Sequence, residues 1–364
     1  MKSEQLPFFD ACISDKIASS EAAEILGISA PELRKLTKQG KLSVSKAVNG
    51  RLLYSLSEIE ALRKSIDESA TENGGNGLVE PQTVNPRNTL NDLTGGEWLP
   101  ETKSFFYQKG LGAKHPHAQI ERQHPAPFSF QDVSHLITFF TKKGMHVLDP
   151  FGGVGSTAKA CALEGRVCTS IELQEKWHSL AQERLDVEIA PGTSQKHNFI
   201  QGDTRIVLQG LGTESVDFVI TSPPYWSILN KKADHKVKKE RIANDLATNY
   251  SDDDESDLAN ISSYSDFLDI LVSDVFLQCA RVLKKKKYMA LVVSDFRHKS
   301  DFISFHSDLI QRLNKAETPD KAHMHLQGVK ILLQNHKTLL PYGYPFAYVE
   351  NIHHQYVLIF RKDK

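Results

Sequence analysis

One stretch of this chain leaves little freedom about how it folds. His146-Val147-Leu148-Asp149 is a short apolar run ending in an acid. Pro150-Phe151-Gly152-Gly153-Val154-Gly155-Ser156-Thr157 follows, and then a helical pattern over Ala158–Glu164. A strand that runs into a glycine turn and out into a helix is the opening of a β-α-β unit, and such units build parallel α/β sheets. Glycines in the turn let the backbone approach a bound molecule closely, because no Cβ intervenes. Further strand-like pieces follow in sequence: Val167–Ile171 ending at Glu172, Asn198-Phe199-Ile200 leading to Gly202-Asp203, and Val216–Ile220.

This is the local geometry of a Rossmann-like nucleotide site. An acid at the end of the second strand, Glu172, can accept hydrogen bonds from two ribose hydroxyls, and Asp203 is spaced to meet an adenine amino group. A glycine turn alone is weak evidence, since it also serves as a plain structural turn or a dinucleotide site. The missing GxGxxG spacing and the preceding Asp149-Pro150-Phe151 argue against a dinucleotide.

The most specific signal lies after the fourth strand, at Thr221-Ser222-Pro223-Pro224-Tyr225-Trp226. Two consecutive prolines make a stiff extended segment that cannot continue into a helix. Two aromatic rings then fall at the carboxyl end of the sheet, where open α/β sheets bind ligands. The form Asp-Pro-Phe-x-Gly-x-Gly at 149–155 resembles the S-adenosylmethionine loop of amino-methyltransferases. Ser222-Pro223-Pro224-Tyr225 resembles the Ser-Pro-Pro-Tyr motif of DNA amino-methyltransferases that modify the exocyclic nitrogen of cytosine. The sister form with Asp in first position is more usual for adenine, so the serine leans towards cytosine and leaves adenine, or a non-catalytic DNA-binding regulator with a methyltransferase fold, as the alternatives.

The resemblance covers residues 91–364 and implies S-adenosylmethionine as cofactor, double-stranded DNA as substrate and a cognate restriction endonuclease as a partner. Implied cofactor contacts are Phe128, Ser129, Asp149, Pro150, Phe151, Gly153, Gly155, Thr157, Glu172 and Asp203. Ser129 is equally readable as a helix cap. Ser222, Pro223, Pro224 and Tyr225 are the implied catalytic residues. An exocyclic amine is a poor nucleophile because its lone pair is delocalised into the ring. The Ser222 hydroxyl and the Pro223 carbonyl can accept its hydrogens, and Tyr225 can stack on a base taken out of the duplex. Carbon-5 methylation would need a Pro-Cys nucleophile, and no such dipeptide exists here.

The 364 residues suit two domains. Residues 1–67 read as helix, turn, helix, hairpin and helix, with Asn49-Gly50 as the hairpin turn. Glu21-Ala22-Ala23, Leu26-Gly27-Ile28-Ser29, Leu33-Arg34, Gly40-Lys41-Leu42 and Arg51–Tyr54 resemble a winged helix-turn-helix of the MerR or excisionase type. Residues 31–64 hold eight Lys or Arg against three Glu. Arg34, Lys35, Lys38 and Arg51 are therefore candidate DNA contacts, the second helix being the one such motifs lay in the major groove. Residues 68–90 have linker composition and 91–364 form the catalytic domain. The expected architecture is an α/β Rossmann-like methyltransferase sheet with a small winged module in front of it.

A net charge of −1 excludes inferring DNA binding from the total, so it has to come from local patches. Lys231–Asp257 is one: a basic half, with Lys236 and Lys238 as candidate phosphate contacts, precedes an acidic half. Its alternative reading is a self-neutralising solvated loop. No recognition domain of familiar size fits between the motifs or after them. Target choice then falls to the winged module, the charged excursion and the loop near Gly343. Phe267–Lys284 reads as one long helix, with Lys284–Lys287 at its positive end. Gly328–Leu333 and Gln355–Phe360 read as a final strand pair. Asp295 and Arg297 fall at the active end of the sheet, or form a simple turn salt bridge. Cys12, Cys161, Cys168 and Cys279 show no paired or metal-binding spacing, so reduced thiols and no metal are expected. No apolar run approaches the length of a membrane span, and the first ten residues lack the apolar core of a secretion signal, which points to the cytoplasm.

Overall fold

A computed structural model describes residues 16–26, 28, 30–46, 52–62, 83–108, 115–125, 128–226, 256–298, 301–335, 337 and 339–363. The chain divides into two units, Met1–Pro81 and Gln82–Lys364.

The first unit contains β1 (Lys16–Ala18), α1 (Ser19–Leu26), α2 (Ala30–Lys38), β2 (Val44–Lys46), β3 (Leu52–Ser55) and a helix α3 over residues 56–62. β3 pairs antiparallel with both β1 and β2, in the order β1-β3-β2. The hairpin of β2 and β3 is the one expected around Asn49-Gly50, whose tip lies outside the described residues. β1 carries no sequence signal of its own. Ala22, Ala23, Leu33, Leu42, Tyr54 and Ile59 form a small buried core. Burying Leu33 turns Arg34, Lys35 and Lys38 of α2 to the exposed side, as a period of 3.6 requires.

The second unit begins before residue 91. Asn91 is fully buried; its Nδ2 donates to the Phe139 carbonyl at 2.6 Å, and its Oδ1 accepts from Asn88 Nδ2 at 2.7 Å. The stretch from 83 to 90, read as linker, is in part packed structure. α4 (Gly95–Glu101) follows with a reciprocal Thr94–Glu97 capping box. Next come β4 (Phe105–Tyr107), α5 (Phe130–Phe140), β5 (His146–Asp149), α6 (Ser156–Glu164), β6 (Val167–Glu172), α7 (Glu175–Glu188), β7 (Asn198–Gln201), α8 (Thr204–Gly210) and β8 (Val216–Thr221). The remainder is α9 (Tyr264–Ile270), α10 (Leu277–Val282), β9 (Leu283–Val293), β10 (Phe296–His298), β11 (Asp301–Ile303), α11 (Phe305–Lys315), β12 (Met324–Leu333) and β13 (His354–Lys362).

Eight strands form one sheet in the order β4-β12-β13-β9-β8-β5-β6-β7. β5, β6, β7, β8 and β9 run parallel, and β13 runs antiparallel to β9 and β12. Alternate residues serve opposite faces. Val147, Phe218, Ile220, Ala290 and Val357 pack with α5 and α6, whereas Leu148, Val219, Met289, Leu291 and Leu358 pack with α9, α10 and α11. With both faces covered, this is a Rossmann-like α/β sheet.

Two expectations are corrected. The long helix is interrupted by a π turn over Leu271–Phe276 between α9 and α10. Lys284–Lys287 lies in β9 rather than at a helix end. The backbone turns extended at Leu283, and Lys284 then reaches Asp217 of the neighbouring strand at 2.9 Å. Asn91→Ala removes the hydrogen bonds that this buried side chain makes to Asn88, Leu93 and Phe139 and is expected to lower stability by about 1–3 kcal/mol, read from the midpoint of urea unfolding.

Candidate functional site

The tip of β5 organises the site. Asp149 is buried, and each of its oxygens is used: Oδ1 accepts from Thr221 Oγ1 at 2.7 Å and from the Phe151 amide at 3.0 Å, and Oδ2 accepts from Thr157 Oγ1 at 2.5 Å. One carboxylate thus joins the end of β8, the glycine loop and the first turn of α6. Burial pushes its pKa up, against these three hydrogen bonds. Thr157 is buried, spends its hydroxyl on Asp149 and does not line the cleft.

The loop closes on Glu172, at the tip of β6. Its Oε2 accepts from the Gly153 amide at 2.8 Å and its Oε1 from the Gln174 amide at 2.9 Å. Gly153 and Gly155 have φ of +50° and +74°, where a side chain is strained. A Cβ on Gly155 would press on Ala181 of α7, so this glycine serves helix packing and lies off the cleft wall. Gly152 is the tightest position, since a Cβ there would overlap the Ser170 hydroxyl. From behind, the fully buried Arg184 donates to the Val154 carbonyl at 3.1 Å and to Ser156 Oγ at 3.0 Å. The same guanidinium pairs with Glu121 at 2.6 Å and Glu188 at 3.1 Å.

A cleft of about 990 Å³, including its open mouth, lies over this loop. Phe128, Asp149, Pro150, Phe151, Gly153, Glu172 and Asp203 line it, and so do Ser222, Pro223, Pro224 and Tyr225. Ser129 does not: it is buried at the start of α5, where its carbonyl accepts from Val133. Asp203 caps α8 through the Arg205 amide and is bound by the Arg205 guanidinium at 2.6 Å. His124, Gly152, Gln174, Trp177, Thr204, Asp257 and Leu258 also line the cleft and were not foreseen. His124 and Trp177 meet edge to face at 5.0 Å. Gly152 belongs to the glycine loop and Asp257 ends the charged excursion, whereas Trp177 comes from outside the recognisable motifs, so a single sequence carries no signal for it.

The chemistry of the lining selects its ligand. Asp149, Glu172, Asp203 and Asp257 are carboxylates, and no Lys or Arg is among the described lining residues. A pyrophosphate would meet repulsion here, whereas a cationic ligand meets attraction. Thr204 Oγ1 is buried with no hydrogen-bond partner among the described residues, which leaves one polar position for a bound molecule. A sulfonium nucleoside, S-adenosylmethionine, fits this set. Glu172, Asp203 and Thr204 offer hydrogen-bonding groups on this wall, and Phe151 and Leu258 offer apolar faces.

The proline corner sits at the cleft's other wall. Pro223 is buried, and Ser222, Pro224 and Tyr225 are partly exposed. The Tyr225 hydroxyl accepts from the Ser294 amide at 2.8 Å, and its ring packs on Phe296 at 6.1 Å and Phe305 at 5.8 Å. Burial pushes its pKa up to about 12, so it stays protonated. Trp226 is turned away, its Nε1 donating to the Ile261 carbonyl at 2.7 Å and its ring lying 4.4 Å from His298. Asp295 does not pair with Arg297. It takes His306 Nδ1 at 2.7 Å, while Arg297 lies over Phe302 at 5.4 Å. Of the candidate DNA contacts, Arg34, Lys35 and Lys38 are exposed, and Arg51, Lys236 and Lys238 lie outside the described residues.

Residues 60–183 match the family model of the DNA methylases and residues 19–66 that of a helix-turn-helix domain. The methylase match includes the glycine loop and Glu172 and stops short of the proline corner. YubD of Escherichia coli (strain K12), whose name presumes a methylase, is 42% identical over 64 residues, 18% of this chain. The match takes in 28% of that protein, so the chain spans about a quarter of its relative's length. Among solved structures, TrmN from Thermus thermophilus is 19% identical with a TM-score of 0.38, over 69% of this chain and 52% of that one. TTHA0409, whose description presumes a DNA modification methylase and which also comes from Thermus thermophilus, was solved in complex with S-adenosyl-L-methionine. It is 23% identical with a TM-score of 0.29, over 45% of this chain and 54% of that one. Scores this low carry no functional weight beside the residues themselves.

Burial, helped by Asp149 and Asp257, raises the Glu172 pKa to about 7. A carboxylate that accepts ribose hydroxyls beside a cation binds best ionised. Cofactor affinity should therefore rise as pH increases through 7, by about tenfold, and Glu172→Gln should flatten this dependence in calorimetric titrations. The folded state holds this proton more tightly than the unfolded chain does. The ligand-free protein should accordingly lose stability as pH climbs from the ordinary carboxylate range towards 7.

Proposed function

We propose that the second unit is an S-adenosylmethionine-dependent DNA amino-methyltransferase acting on the exocyclic N4 of cytosine, with the first unit as its DNA-binding module. The observation that carries this reading is that Ser222–Tyr225 and the glycine loop with Glu172 line one cleft and are tied together by Asp149.

Bound in the cleft, S-adenosylmethionine supplies an electrophilic methyl carbon. The chain's own residues position the acceptor. Ser222 Oγ and the Pro223 carbonyl accept hydrogen bonds from the target amine, which favours a pyramidal nitrogen with a free lone pair. The prolines prevent the corner from relaxing. Tyr225, fixed by the Ser294 amide and two aromatic neighbours, forms the wall beside it. Alignment of the two reactants is then the main source of rate. Among the described residues no thiol route competes: Cys161, Cys168 and Cys279 are free and buried, and burial pushes the thiols of Cys168 and Cys279 up.

Labelled methyl transfer into duplex DNA followed by nucleoside analysis tests the reading. Label in 4-methylcytosine is expected. Label in 6-methyladenine would instead select the sister activity, and none in DNA would overturn the assignment. Ser222→Ala is expected to lower the turnover rate about tenfold or more with cofactor affinity unchanged; an unaltered rate would remove Ser222 from this role.

In the first unit, Arg34, Lys35 and Lys38 offer three charges on one exposed helix face. Replacing all three by Ala should weaken DNA binding across sequences. The slope of log affinity against log salt should become shallower by about one for each phosphate no longer neutralised, measured by fluorescence anisotropy.

A further inference from the structure

The segment joining β12 to β13 carries the most exposed aromatic rings of the described chain. Tyr344, Phe346 and Tyr348 are 81%, 93% and 84% exposed, and the next most exposed Phe, Tyr or Trp is Tyr107 at 55%. Leaving three such rings in water is costly unless something covers them.

This is a built loop. Its neck is closed by Asn351, whose Nδ2 donates to the Leu340 carbonyl at 2.8 Å while its Oδ1 accepts from the Leu340 amide at 3.0 Å. Inside it, the Gly343 carbonyl accepts from the Phe346 and Ala347 amides at 2.7 and 2.8 Å. Gly343 has φ of +73° and no room for a Cβ, because Ala347 and Val349 crowd it. The fold of the loop holds the rings outwards.

Its position says what covers it. β13 is antiparallel to β9, with Tyr356 opposite Val293, and Thr221 of β8 lies opposite Leu291. The loop therefore springs from the sheet edge that carries the proline corner. Two strand spacings separate β13 from β8, about 10 Å. Ser294, which holds the Tyr225 hydroxyl, also donates through its Oγ to the His354 carbonyl at the root of the loop.

We propose that this loop contacts the DNA substrate and that Tyr344, Phe346 and Tyr348 stack on bases beside the one presented to the proline corner. The inference rests on the DNA reading of that corner. Lys337 and Glu350 are the loop's only described charged residues, so its contribution comes from ring faces rather than phosphate contacts. Stacking is tolerant of sequence and is worth about 1–3 kcal/mol per base. A loop of this kind also supports the unstacking that extrusion of a base requires.

The test is titration of labelled mixed-sequence duplex DNA with the full chain and with Y344A/F346A/Y348A, at several salt concentrations. The expected result is a loss of affinity of about tenfold or more, with the salt slope unchanged. Cofactor affinity should equal that of the wild type, which establishes that the variant is folded. Y344F/Y348F keeps the rings and should keep the affinity; a loss as large as that of the alanine variant would overturn stacking. Wild-type DNA affinity in the alanine variant would overturn the loop's role alone. Absence of DNA binding by the wild-type chain would overturn the reading of the corner and this inference with it.

Discussion

Asp149 is the constraint on which the second unit depends. A single buried carboxylate accepts hydrogen bonds from the glycine loop, from α6 and from the end of β8. Those elements lie up to 72 residues apart in sequence, and each carries part of the cleft. β5 is the central strand from which the topology runs two ways, to β6 and β7 on one side and to β8 and β9 on the other. Such a reversal opens a crevice at the carboxyl ends of the strands. Asp149 stands at that crevice and keeps its two walls in register. An amide or alanine there would leave a buried threonine hydroxyl or a backbone amide without its acceptor, and both walls would loosen together.

The charge distribution explains why the walls suit one kind of ligand. Four carboxylates face a space with no described cation on its lining. The buried cations stand behind the loop instead. Lys159 lies 2.5 Å from Glu188 and 3.8 Å from the centre of the Phe130 ring, and Arg184 grips the Val154 carbonyl. The loop is thus braced from outside by paired charges while its inner side remains electronegative. The raised pKa of Glu172 records the cost of that arrangement. A positively charged ligand relieves it, which links cofactor occupancy to the protonation of one residue.

Much of this was legible in the sequence because chemistry and backbone geometry coincide there. The glycine loop, Glu172, the Ser222–Tyr225 corner, the parallel strands β5 to β8 and the final strand pair each have a local signature of turn residues or alternating apolar positions. What was not legible depends on contacts between distant residues. Thr157 has the right residue type beside the loop, yet it bonds to Asp149 rather than lining the cleft. Asp203 lines the cleft and also caps α8 and pairs with Arg205, a partner its own position in the sequence does not announce. Trp177 and His124 reach the cleft from elements whose own patterns are merely helical or irregular. Lys284–Lys287 follows a helical stretch, and only the extended turn at Leu283 and pairing with β8 place it in a strand. Asn88 falls in the stretch with linker composition, and its bond to the buried Asn91 makes it part of the fold.

The reversed strand β13 accounts for how the two halves of the sheet divide their work. Parallel strands return their connections through crossovers, usually helices, on the sheet faces. An antiparallel strand returns directly. Because β13 runs against β9 and pairs with β12, the connection of these two strands emerges at the carboxyl edge of the parallel strands rather than behind the sheet. The half made of β5, β6 and β7 supplies the acidic cleft. The half made of β9, β13 and β12 brings an aromatic loop to the same edge without a helix in between. Ser222–Tyr225 stands where the two meet, anchored on one side through Thr221 to Asp149 and on the other through Tyr225 to Ser294. A rigid corner at that junction is able to hold an acceptor against the cleft, because each of its ends is fixed to the half of the sheet that it serves.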